Sequence, residues 1–145
     1  PIFGKLFQNI YIVRFTRSMN TLVVSGITIT KSLNIVAEVV GNTIYKELIE
    51  ETLAEVEEGN SLSTVFTTSD KVPPMVPQMI GVGEKTGKLD VVLDKITQFY
   101  ESEINKTVNN LVSLLEPLII VVLGLGVGIM IAAVLMPMYD MASQL

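Results

Sequence analysis

The chain has no cysteine and no histidine in its 145 residues. Without cysteine there is no disulfide framework and no thiolate chemistry. Without histidine, the commonest general base and the commonest transition-metal ligand are both missing. Basic charge is also scarce. Ten Lys and Arg stand against fifteen Asp and Glu, for a net charge of −5. That balance argues against a nucleic-acid partner, because binding a phosphate backbone calls for a basic face. No Lys or Arg follows Lys106.

Where charge runs out, hydrocarbon takes over. Between Glu116 and Asp140 lie 23 uncharged residues, "PLIIVVLGLGVGIMIAAVLMPMY". At a rise of about 1.5 Å per residue, roughly 20 residues cross a hydrocarbon layer ~30 Å thick. A buried core helix is the alternative, but such helices are usually about a dozen residues long and keep a polar edge. This stretch has none, and it reads as a transmembrane helix. It lies near the C-terminus, so it is not a signal peptide. All ten cations precede it. Positive charge tends to stay cytoplasmic, so the body is expected in the cytoplasm and the C-terminus outside it. Because the chain begins with Pro1 and not Met, it is expected to be a segment of something longer.

The body reads as helix throughout. Ile12, Phe15, Met19, Leu22 and Val23 recur at three- and four-residue steps and make one apolar stripe, which Gly26 closes. Thr30 is the expected cap of a second helix, whose stripe is Leu33, Val36, Ala37 and Val40. Gly41 ends it and Asn42 opens a third, with Tyr45, Leu48, Ile49, Thr52, Leu53 and Val56 inward. Its other faces carry Glu47, Glu50, Glu51, Glu55, Glu57 and Glu58. Such a run is ordinarily a solvated face, with a docking surface for a basic partner as the alternative. After the stop at Gly59, Ser61 caps a short helix facing in with Leu62, Val65 and Phe66. Pro73, Pro74 and Pro77 suit the first turn of the next helix, which runs toward Lys85. From Leu89 the stripe resumes through Leu93, Ile96, Phe99, Tyr100, Ile104, Val108 and Leu111, with no Gly or Pro before Pro117. The expected architecture is all-α: an antiparallel bundle of about six helices whose last helix continues into the membrane. The expected divisions are a membrane-proximal lead-in at 1–12, the bundle at 13–114, the membrane helix at 115–138 and an extracytoplasmic tail at 139–145.

The stretch "MIGVGEKTGKLD", residues 79–90, invites a phosphate-loop reading. The Walker pattern needs Gly, four residues, then Gly-Lys-Ser/Thr. Here Gly87 and Lys88 are followed by Leu89, and Val82 stands where the first Gly belongs. The dinucleotide pattern also fails, with its third Gly one residue late and no strand before it. A helix–corner–helix fits better. Gly87 takes the left-handed position after the first helix. Gly81 and Gly83 lie within that helix, where each costs about 1 kcal/mol relative to alanine, which suggests close approach of another backbone. Glu84 is either a solvent-facing residue or a carboxylate accepting from the amides around Leu89 and Asp90. A hard cation shared by Glu84, Asp90 and Asp94 is a further alternative, although no calcium-loop spacing is present.

Paired acids such as Glu101 and Glu103 point apart on a helix, and no nucleophile sits beside a base, so no catalytic activity, cofactor or metal is expected. Pro117, after Glu116, is expected to bend the helix at the membrane surface. Gly124, Gly128 and Ala132 recur at four-residue steps, a spacing that lets membrane helices approach closely.

Several of these stretches together resemble the GspF/PilC family, inner-membrane platform proteins of type II secretion systems and type IV pili. "PIFGKL" followed by "RFTRSMNTLVVSGITITKSLNI" is similar to the start of the family's cytoplasmic repeat. "GNSLSTVF" is similar to its Gly-x-Ser-Leu segment at Gly59, Ser61 and Leu62. Gly83, Glu84, Gly87 and Leu89 match its Gly-Glu-x-x-Gly-x-Leu motif, Glu116 and Pro117 its Glu-Pro before the last span, and Pro137 its terminal proline. The resemblance implies a second cytoplasmic domain plus the last of three spans. It implies an inner-membrane platform without catalysis of its own, in contact with lipid and with other inner-membrane machine components. Such a platform self-associates and couples a cytoplasmic assembly ATPase to pilin or pseudopilin subunits. A tail-anchored adaptor or signalling domain is the competing reading.

Overall fold

The computed structural model describes residues 2–143, so Pro1 of the "PIFGKL" segment and the last two residues of the expected tail lie outside the described residues. Among the described residues there is no strand. The helices are α1 (Ile2–Val24), α2 (Ile29–Val39), α3 (Thr43–Glu57), α4 (Ser63–Thr68), α5 (Met75–Thr86), α6 (Leu89–Ser113) and α7 (Leu115–Ser143). The chain divides into two compact units, with the division between Asn105 and Lys106, inside α6.

The first unit is a helical bundle whose core follows the apolar stripes. Met19, Leu33, Val36, Ile80, Leu93 and Ile96 are shut off from solvent. Removing one such aliphatic side chain costs about 2–5 kcal/mol. Adjacent helices pack in sequence, α2 on α1 and α3, and α4 on α3 and α5. Phe15 of α1 meets Phe66 of α4 edge-on, with ring centres 5.1 Å apart. Thr16 of α1 and Thr97 of α6 join hydroxyls at 2.7 Å inside the core. One hydroxyl donates to the other, which in turn donates to the carbonyl four residues back in its own helix, so neither oxygen is buried unpaired. Above them, on the surface, Arg17 pairs with Glu101. Helix α1 takes in residues 2–12 together with 13–24, and Asn9 and Ile12 are already buried.

The helix ends follow local chemistry. At the end of α1, Gly26 has φ +80°. Its N–H bonds the Val23 carbonyl and the Ile27 N–H bonds the Leu22 carbonyl, both at 3.0 Å. That tight stop brings α2 in early. The residue in the cap position is Thr28, not Thr30, which falls inside α2. The Thr28 side chain makes no capping bond. Asn42 does cap α3, accepting from the Tyr45 N–H at 3.2 Å. The Tyr45 hydroxyl donates to the Lys71 carbonyl at 2.9 Å. Burial first, and Tyr11 second, push its pKa up to about 12. Two residues of the expected inward stripe of α6 turn out, Phe99 and, in the second unit, Val108, which is 41% exposed. Phe99 is 48% exposed, because the inner face of α6 is centred on Leu93, Ile96, Thr97 and Tyr100.

In the second unit Leu114 alone separates α6 from α7. The interruption lies three residues before Pro117. Proline has no N–H to offer the Ser113 carbonyl, and its ring crowds that carbonyl. The Leu114 N–H instead closes a tighter turn onto Leu111 at 3.2 Å, and regular bonding resumes with Leu118 on Leu114 at 3.4 Å. Pro117 is then in the first turn of α7, where a missing N–H is tolerated. Helix α7 continues through Pro137 to Ser143 and has no buried residue.

Candidate functional site

The corner between α5 and α6 is built from residues that solve two packing problems at once. At Gly83 a Cβ would come within 3.1 Å of the Val92 Cβ and 3.2 Å of the Leu89 Cα. That is backbone contact with the start of α6, which a larger residue would push apart. Gly87, at φ +67°, turns the chain. The Lys88 N–H then reaches the Gly83 carbonyl at 2.9 Å and the Gly87 N–H reaches the Glu84 carbonyl at 3.4 Å. Leu89 follows directly and is buried.

Glu84, half-buried beside Gly83, faces a different helix from the one expected. Its carboxylate accepts from the Leu62 N–H at 2.6 Å through Oε1 and from the Ser61 hydroxyl through Oε2. It braces the start of α4, not the amides at Leu89 and Asp90. The reason is orientation. The chain reverses at Gly87, so Glu84, one turn earlier on α5, is aimed sideways at the neighbour of α5. That neighbour needs a carboxylate, since α4 has no acidic residue in its own first turn. Ser61 completes the cap by accepting the Ser63 N–H at 3.2 Å on its hydroxyl and the Thr64 N–H at 3.0 Å on its carbonyl. At Gly81, by contrast, a Cβ would stand 3.4 Å from the Ser63 hydroxyl, an ordinary van der Waals contact. Ser61 and Leu62 were visible as a short-helix start, but nothing local to them pointed to a residue more than twenty positions away.

Glu84, Asp90 and Asp94 do not converge. Among the described residues no three carboxylates are grouped as a metal ion would require, and Asp94 accepts instead from the Gln98 amide at 2.7 Å.

In the second unit, Glu116 lies in the first turn of α7 beside Pro117. A carboxylate there suits the positive end of the helix. Gly124 and Gly128 face open space, with nothing within 4 Å of the position a Cβ would take, and Ala132 is exposed. Among the described residues one helical run, spanning α6 and α7, is long and apolar enough to cross a membrane. Its most apolar stretch has a mean hydropathy of 3.0 and is wholly exposed.

The family profile described as Type II secretion system (T2SS), protein F matches residues 15–137, taking in both the corner and the apolar helix. The chain belongs to this family. Among curated relatives of the type II secretion system protein F family, it is 34% identical to a Type IV pilus assembly protein PilC of Thermus thermophilus, over all of this chain and 36% of that one. It is 33% identical to a protein of the same name from Myxococcus xanthus, over all of this chain and 35% of the relative. It is 29% identical to a Type II secretion system protein F of Pseudomonas aeruginosa, over 97% of this chain and 35% of the relative. The chain thus spans about a third of the length of the curated relatives it matches.

Proposed function

We propose that this chain is the helical domain and one membrane span of an inner-membrane platform for type II secretion or type IV pilus assembly. The bundle faces the cytoplasm and receives contacts from an assembly ATPase. The span lies among pilin or pseudopilin subunits and other inner-membrane components. The observation that carries the reading is the helical run from α6 to α7. It begins on the core of the first unit at Leu89 and ends as an apolar helix with no buried residue. A soluble domain does not leave such a surface to water. The corner at Gly83, Glu84, Gly87 and Leu89 fixes the start of that run against α4 and α5, so a load on the short helices reaches α6 through backbone contact. The role requires no chemistry from the chain itself. Gly124, Gly128 and Ala132 form the face by which the span packs on another membrane helix.

Crosslinking the chain to the co-expressed ATPase tests the coupling. An ATPase-dependent adduct on the bundle is expected, and none under assembly conditions overturns it. Replacing Gly124 and Gly128 by Leu tests the packing face. Unchanged association in membranes overturns that part alone.

A further inference from the structure

Helix α6 changes character where it leaves the first unit. From Leu89 to Glu103 it carries five charged residues, and its inner face is in the core. From Ile104 to Leu115 the only charge is Lys106. The helix nevertheless stays two-sided. Val108, Leu111, Val112 and Leu115 recur at helical steps and make one apolar face. Asn109, Asn110 and Ser113 stand on the other. The apolar face has no cover among the described residues. Val108 is 41% exposed, Val112 56% and Leu115 52%, and Leu111 is half-exposed.

We propose that this face rests on the lipid bilayer. The segment Val108–Leu115 lies along the headgroup layer, with its four apolar side chains turned toward the acyl chains. This placement rests on α7 being the membrane span. Three observations select lipid as the occupant. First, the hydrocarbon run opens at Pro117, two residues beyond Leu115, so the bilayer is already beside the face. Second, length sets the orientation. The headgroup layer on each side of a bilayer is only about 5–8 Å thick. Val108 lies nine residues before Pro117, about 13–14 Å along the axis at 1.5 Å per residue. An upright helix would carry Val108 past the headgroups into water, and sinking it deeper would take Glu116 into hydrocarbon. A helix lying in the interface keeps the whole face covered. The irregular turn at Leu114, whose N–H bonds the Leu111 carbonyl, is the place where the helix changes direction. Third, the polar side offers amides and a hydroxyl, which hydrogen-bond to headgroups and water at little desolvation cost. A polar face built for water carries charge, as that of α3 does. Because Lys106 is the only cation of the segment, the attraction is hydrophobic and requires no anionic lipid.

The chain has no cysteine, so a fluorophore on a single introduced cysteine reports one position. Val108→Cys and Val112→Cys read the apolar face, and Asn109→Cys and Asn110→Cys the polar face. Leu123→Cys reads the span, and Val82→Cys, exposed on α5, reads the bundle. Each labelled chain is reconstituted in phosphatidylcholine vesicles with nitroxide-bearing lipids as quenchers. A shallow nitroxide is expected to quench Val108→Cys and Val112→Cys several-fold more than Asn109→Cys, Asn110→Cys or Val82→Cys. Equal quenching of the two faces overturns the proposal. Protection of the apolar-face labels from both the lipid nitroxide and aqueous iodide assigns the face to a protein partner and overturns it as well. A deep nitroxide is expected to quench Leu123→Cys. If it does while the apolar-face labels stay unquenched, this proposal falls and the span stands. If it does not, both fall. Adding phosphatidylglycerol is expected to leave the pattern unchanged, and quenching that appears only with that anionic lipid overturns the apolar contact.

Discussion

The two units of this molecule use the same aliphatic residues in opposite ways. In the first, Leu, Ile and Val sit at helical spacing, are buried, and are backed by polar outer faces. In the second, α7 is apolar around its whole circumference and buries none of it. A helix with one apolar stripe is complete when another helix covers the stripe, and the gain is ~25 cal/mol per Å² removed from water. A helix apolar on every side needs a solvent without water on every side. The comparison teaches that the distribution of hydrophobic residues around the axis, more than their number, separates a domain from a span.

The largest effect that sharpens the contrast is at Leu93, which is fully enclosed. Leu93→Ala is expected to cost the first unit about 2–5 kcal/mol, while Leu123→Ala on exposed α7 leaves its melting temperature unchanged. Thermal unfolding followed by circular dichroism separates the two, and equal losses would erase the distinction. Next, Val127→Arg near the middle of the apolar stretch should raise the cost of membrane insertion by about 2.5–3.5 kcal/mol. A membrane-integration assay reads this out, with Lys95→Arg in the bundle as the silent partner.

Within the first unit, Glu84→Ala should cost about 1–3 kcal/mol by leaving the Leu62 N–H without its acceptor. Hydrogen exchange at Leu62 and Ser63 should accelerate before exchange elsewhere in the bundle. If instead the amides of Leu89 and Asp90 respond first, the brace has been placed on the wrong helix. The two glycines of α5 should differ in sign. Gly83→Ala meets the Leu89 backbone and should lose about 1 kcal/mol, whereas Gly81→Ala meets only the Ser63 side chain and should be neutral or gain up to about 1 kcal/mol of helix propensity.

The smallest effect is electrostatic. Tyr45 has a folded-state pKa of about 12, against about 10 in the unfolded chain. On raising the pH the unfolded chain therefore loses this proton first. The contribution is fully present below pH ~10 and is lost as the pH climbs toward ~12. Tyr45→Phe should be somewhat less stable at neutral pH, for want of the bond to the Lys71 carbonyl. It should also show a shallower loss of stability between those two values. An unchanged alkaline slope would show that Tyr45 ionises as easily folded as unfolded.

Much of this molecule is legible in its residues alone. Stripes at three- and four-residue steps marked the inner faces of α2 and α3. Asn42 announced the start of α3, and a 23-residue uncharged run announced α7. These are local signals, carried by residues within one or two helical turns of each other. The readings that changed were long-range or a matter of a few tens of degrees. Thr30 lost the cap position to Thr28, two residues earlier, because α2 begins at Ile29, directly after the turn at Gly26. Phe99 belongs to the edge of its stripe, and only the positions of α1 and α5 decide which edge is covered. Glu84 was recognised as a carboxylate in need of donors, but the nearer amides in sequence were not the nearer amides in space.

Taken alone, the order of residues determined that the chain is all helix, where most helices stop, and which helix has no water-compatible face. Each of these follows from periodicity and from the backbone preferences of Gly, Pro and Asn, which act over a few residues. Tertiary structure alone decided that Glu84 holds the Ser61–Leu62 start of α4, that Gly83 admits the backbone of α6, and that Thr16 and Thr97 meet in the core. Those contacts join positions 6 to 81 apart. They exist only because the bundle closes, and no periodicity along the chain encodes which side chain will be waiting there.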